Sequence, residues 1–226
     1  SGQFRWSPQF RSRGTDPLLS NGEISWSGTA GLFDYTVGLQ NNSAHQGNDG
    51  PGYLFDGNGN LIETRFENLR IERDRPKISG ALKFTGTGGD IANLNGAFEL
   101  YKFDFLELRD GNLGTRELVQ TENEYNYEVG ADYAFDLGGG RLKIIGLHRF
   151  EASDFENSVR STFANLNPDT GSLQDLYIDE TESIARSEYA WKAGANDWQV
   201  ALEGAFNSLA TASELQRFDP TTQGYL

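Results

Sequence analysis

The chain has 226 residues, with neither cysteine nor methionine, 27 glycines, 6 prolines and a formal net charge of −14 at pH 7. That charge argues against nucleic acid as a partner, because phosphate binding needs clustered Lys and Arg. The lack of cysteine excludes disulfide frameworks, thiolate metal sites and thiol redox chemistry. No stretch approaches the roughly 18–20 consecutive apolar residues of a membrane-spanning helix.

The first clear element lies at Phe33, Tyr35, Val37 and Leu39, which alternate with Asp34, Thr36, Gly38 and Gln40. This is the period-two pattern of a strand with two unlike faces. A Gly-rich turn, Ser27 to Gly31, precedes it, and a long polar excursion is predicted from Asn41 to Leu61. Inside that excursion Asp56, Asn58 and Asn60, with Glu67 in the twelfth position, weakly resemble a calcium loop, but Leu61 stands where such a loop needs glycine. A hairpin tip is the preferred reading, and no metal site is expected. The run Arg70 to Arg75 interleaves Glu72 and Asp74 with arginines, as in a strand rising above a bilayer.

Ile78, Gly80, Leu82 and Phe84 continue the pattern, followed by a turn at Thr85 to Asp90 and a second polar excursion, Arg109 to Thr121. From Tyr125 to Leu137 seven apolar positions fall on one face: Tyr125, Tyr127, Val129, Ala131, Tyr133, Phe135 and Leu137. A typical globular strand holds about 5 or 6 residues, whereas crossing a bilayer takes about 9–11 tilted ones. Gly138 to Gly140 form the next turn, Ser153 to Thr181 a third polar excursion, Ala193 to Asp197 a turn, and Trp198 to Phe206 a last alternating strand.

Alternation alone suits a soluble sandwich as well as a membrane barrel. Two features favour the barrel. Short turns alternate with long excursions, as short periplasmic turns alternate with extracellular loops. Trp26, Phe33, Phe84, Phe135, Trp191 and Trp198 lie within a few residues of the short turns, as an interfacial girdle would. The expected fold is therefore an all-β, antiparallel, up-and-down transmembrane β-barrel with about nine or ten strands present. Its polar face would line a lumen, with Glu128, Asp132, Arg186, Glu188 and Glu203 as candidates. His45 and His148 have no neighbours at zinc-ligand spacing, and no Ser, His and acid constellation is suggested, so no catalytic residue is assigned and no enzyme is expected.

The stretches 31–39, 56–66, 75–79, 141–151 and 198–207, in this order, resemble the barrel domain of TonB-dependent outer-membrane receptors. The resemblance implies a location in the bacterial outer membrane, contact with its lipid and lipopolysaccharide, and import of a small solute such as a siderophore, vitamin or saccharide. It also implies energy from the TonB complex, received through a plug domain that these residues do not include. Residues 1–226 would then be one incomplete wall segment of a barrel of about 22 strands, with no cofactor. The alternatives are a small passive porin-like or structural barrel and, less favoured, a soluble carbohydrate-binding β-protein.

Overall fold

The computed structural model describes residues 1–11, 15–165 and 167–226. They form one antiparallel sheet of twelve strands, with no helix among the described residues. The strands are β1 (Gly2–Trp6), β2 (Gly22–Ala30), β3 (Phe33–Asn41), β4 (Ala44–Phe55), β5 (Leu61–Asp74), β6 (Pro76–Thr85), β7 (Ile91–Gly111), β8 (Gly114–Leu137), β9 (Gly140–Phe163), β10 (Thr170–Ala193), β11 (Asn196–Asp219) and β12 (Gly224–Tyr225).

The sheet order is β1-β2-β3-β6-β7-β8-β9-β10-β11-β12, with β4 paired to β5 and β5 to β7. This apparent branch is a plain meander with two interruptions. Asn41 pairs Pro76 and Ala44 pairs Arg73, so the register passes from β3/β6 into β4/β5 without a slip. The break has a local cause. Pro76 has no N–H to give the ladder, and the Ser43 hydroxyl takes over there, accepting the Arg75 amide at 3.1 Å and donating to Asn41 Oδ1 at 2.6 Å. Strand β7 runs alongside both pieces, pairing β6 through Ile91–Glu99 and β5 through Lys102–Gly111.

The pairing also records a stagger. The cross-strand row from Leu202 passes through Ser187, Ile144, Tyr133, Ala92, Phe84 and Phe33 to Ala30. It starts well above the β10–β11 turn and arrives at the β2–β3 turn. That is a climb of about one residue per strand, or a tilt of about 30° if the turns share one plane. Barrel strands tilt by a similar amount, typically about 35–45°.

Three expectations are corrected. The sheet is not closed into a barrel: β1 pairs only with β2, and β12 is a short stub on β11. The strand segments number twelve, against the nine or ten expected, because of the interruptions and the stub. The long polar excursions are mostly strand. Residues 44–55 are β4, Asn112–Leu113 alone separate β7 from β8, and β9 and β10 extend to Phe163 and from Thr170. Of the predicted 153–181 excursion, Leu166 lies outside the described residues. Polar residues on both faces imitate a loop locally, but ladder pairing with equally long neighbours holds them extended. The asymmetry of short turns and long loops therefore does not hold.

Candidate functional site

A sheet without a second layer must present two faces to its surroundings, and here they differ in chemistry. Following the pairing across the sheet, Leu202, Ile144, Tyr133, Ala92, Phe84 and Phe33 share one face, with Ser187 among them. The neighbouring row, Glu203, Arg186, Ile145, Asp132, Asn93, Lys83 and Asp34, lies on the other. Exposure is inverted relative to a water-soluble protein. Leu94 is 49% exposed, Val129 46% and Leu202 76%, whereas Glu99 on the polar face is 9% exposed. Only Leu18, Ala134 and Phe218 are buried apolar residues among those described.

The apolar face is banded. At the turn end Phe33 meets Phe84 at 5.2 Å between ring centroids, Tyr133 meets Phe135 at 5.1 Å, and Trp191 meets Tyr189 at 5.5 Å and Trp198 at 6.4 Å. A second aromatic row stands at the far end, where Tyr125 contacts Phe98 at 6.5 Å and Phe150 at 5.7 Å, and Tyr127 contacts Phe150 at 5.6 Å. Aliphatic and small residues, including Leu94, Val129, Ala131, Ile144 and Gly146, occupy the space between. From Leu137 to Tyr125 the band is about 35 Å tall, allowing for tilt. Hydrocarbon core plus part of the headgroup region measures about as much. Five of the predicted girdle residues, Phe33, Phe84, Phe135, Trp191 and Trp198, stand in the turn-end row. Trp26 is higher, opposite Val37 inside the band. The far row escaped the sequence reading because its residues were matched to no turn.

His148 lies inside the band, with a partner at each ring nitrogen: Ser183 Oγ at 2.9 Å from Nδ1 and Tyr127 Oη at 3.4 Å from Nε2. His45 belongs to β4 rather than to a loop, and its nearest charge is Asp74 at 3.6 Å.

All five candidate lumen residues fall on the polar face. The structure brings three of them together: Arg186 bonds Glu188 at 2.6 Å and Glu203 at 3.0 Å. Asp132 sits two strands away, accepting from Asn93 at 3.0 Å, with the Lys143 ammonium at 3.6 Å. Glu128 lies further along β8, opposite Arg149, whose own short bond goes to Glu151 at 2.7 Å. Such solvent-accessible pairs contribute little stability each. They are a charged lining rather than a converged site.

The calcium-like loop does not assemble. Asp56 Oδ1 accepts the Asn58 and Asn60 amides at 2.9 and 2.8 Å, and Oδ2 accepts the Asn60 side chain at 2.9 Å. Glu67 lies down β5 opposite Gly50, bonded to Arg65 at 2.6 Å. The Asn60 side chain and amide, then the other tip amides, hold the Asp56 carboxyl below its ordinary 3.8. A depressed native pKa means stabilisation that is present above the unfolded value and lost as pH falls through the native one. In an NMR titration the Asn58 and Asn60 amides are expected to respond with a midpoint below 3.8. Millimolar calcium is expected to leave them unmoved.

One constellation was missed by the sequence reading. On β7 the apolar phase inverts between Leu100 and Tyr101. Below this point the even residues Leu94, Phe98 and Leu100 are apolar; just above it Lys102 and Asp104 are charged and the odd residues Tyr101, Phe103 and Phe105 carry rings onto the polar face, until Leu106 and Leu108 restore the even phase. Tyr101 and Phe103 are nearly parallel, 6.5 Å apart and inclined by 6°, and Phe105 follows at 6.4 Å. On the β5 side Arg75 stands over Tyr101 at 5.5 Å and Arg73 over Phe103 at 5.7 Å, within cation–π range. On the β8 side Glu124 pairs Tyr101, Glu122 pairs Phe103 and Gln120 pairs Phe105. Adjacent Leu100-Tyr101 was the available signal, since two consecutive apolar residues break a strict alternation.

Comparison with protein-family models and with curated proteins finds no match to this chain.

Proposed function

We propose that this sheet is a section of the wall of a bacterial outer-membrane β-barrel, of the kind used by TonB-dependent transporters to import a small nutrient. One observation carries the reading: a continuous, exposed apolar band edged by two aromatic rows, backed by a polar face. Water would penalise such a surface heavily, because soluble monomers rarely expose apolar patches above a few hundred Å². A lipid core bounded by two interfaces suits it, with aromatic rings at each boundary. The stagger of the strands agrees with a tilted wall. The free edges at β1 and along β11 would be paired by further strands, since unpaired backbone groups are not tolerated in hydrocarbon. Strands of 24 residues, such as β8 to β11, are more than twice what a crossing needs, so they would continue as a ribbon outside the membrane.

Expression in a Gram-negative host tests the location. The protein that carries this sheet, with the strands that pair its free edges, is expected in the outer-membrane fraction and to fold only with detergent or lipid. A monomer that stays folded and soluble in plain buffer would sink the membrane reading. The transport step is tested separately, by comparing solute uptake by the full transporter in cells with and without TonB; equal uptake would favour a passive porin.

A further inference from the structure

We propose that the aromatic strip Tyr101-Phe103-Phe105 is the floor of a binding site for a neutral oligosaccharide. The proposal deepens the transporter reading and rests on it, since the strip faces a lumen only if the sheet is a barrel wall.

Its position is the first ground. The strip lies on the polar face, just beyond the level at which the apolar band of the other face ends at Leu100 and Tyr125. Aromatic residues gain nothing from lipid there. All three residues are half-buried; guanidinium groups stand over Tyr101 and Phe103, and among the described residues none stands over Phe105. The phase inversion is thus a local departure from the pattern that builds the rest of β7, and departures of this kind concentrate where function overrides regularity.

The flanks supply the second ground. Arg73 and Arg75, which lean over Phe103 and Tyr101 from the β5 side, present only donors there, and Arg75 is already held by the Glu99 carboxylate. Glu122 and Glu124 present acceptors along the other, each already oriented by a neighbour: Ser153 donates to Glu122 at 2.7 Å and Asn126 to Glu124 at 2.8 Å. A ligand cation would meet the two guanidinium groups, and a ligand anion the two carboxylates. A neutral polyol meets neither penalty, because each hydroxyl both donates and accepts and can satisfy the two sides at once. Phe105, and the ring surface that the guanidinium groups leave free on Tyr101 and Phe103, then cover the apolar C–H faces of the sugar, with the two polar walls fixing orientation. Three rings at 6.5 and 6.4 Å spacing offer a linear platform longer than one sugar, so an oligomer is favoured over a monosaccharide.

The test uses the full transporter, including the strands that pair this sheet's free edges, folded in a non-glycosidic detergent, with maltotriose, cellotriose and xylotriose as neutral probes. Trigalacturonate and chitosan trimer serve as the anionic and cationic ones. Binding is read by saturation-transfer NMR and calorimetry. At least one neutral trimer is expected to bind, and the double variant Phe103→Ala, Phe105→Ala to weaken it by about tenfold or more. The charged trimers are expected to bind more weakly. Heat-modifiable migration in gels, measured on the same samples, reports folding independently. If folded protein binds no neutral trimer, prefers a charged one, or binds as well without the two rings, the proposal is overturned while the barrel reading stands. If the chain proves soluble without detergent, the barrel reading itself fails.

Discussion

Placing a single arginine at Ala131 is expected to cost about 2–4 kcal/mol of folding stability in lipid or detergent, the cost of a charge near the midplane on the lipid side of a barrel. Ala131 lies on the apolar face of β8, midway between the two aromatic rows, and is exposed. Its pairing partners, Leu94 and Gly146, offer no counter-charge. A surface position on a soluble protein would tolerate the same change within about 0.5 kcal/mol. Asn126→Arg is the control. Asn126 lies on the opposite face of the same strand, between Glu99 and Glu151, and arginine there gains acidic neighbours. Equilibrium unfolding in urea from detergent micelles or thin bilayers would measure both. Equal, small effects would show that the apolar band does not contact hydrocarbon.

Gly114→Ala is expected to destabilise the β7–β8 hairpin by on the order of 3 kcal/mol, combining a disfavoured backbone conformation with a steric clash. Gly114 has φ 141°, and a Cβ there would run into the Thr162 carbonyl oxygen on β9. The two-residue turn Asn112–Leu113 and the last rung of β9 are thus packed through one glycine. Gly146→Ala is the matched comparison, since nothing lies within 4 Å of a Cβ at Gly146. Its expected effect is within about 1 kcal/mol, with stabilisation possible through the unfolded chain. Chemical denaturation of the two variants side by side separates a turn that demands glycine from a face that merely contains it. Similar values for both would remove the steric argument.

Much of the sheet was legible in the residues. Tyr125 to Leu137 announced a long two-faced strand. The turns at Gly31, Gly138–Gly139 and Gly194 carry the positive φ that their glycines suggested. Alternation also placed Glu128, Asp132, Arg186, Glu188 and Glu203 on one face before any pairing was known, because side-chain direction has period two along any strand. The polar arms were not legible. Asn48 to Tyr53 and Asn157 to Ser161 have the composition of loops, and only neighbours of equal length, paired residue for residue, make them strands.

The amino-acid order by itself determined the strands of the apolar band, their two faces and the turns between them, since each depends on contacts a few residues apart. Tertiary pairing decided three further things. It joined β3 to β4 and β5 to β6 across the Pro76 break, through a register shared with the partner strand. It set the stagger, which exists only between strands. It also gathered Tyr101, Phe103 and Phe105 of β7 between the arginines from the β5 side and the glutamates of β8. These groups are distant in sequence, and only the hydrogen-bonded ladder brings their side chains into one row.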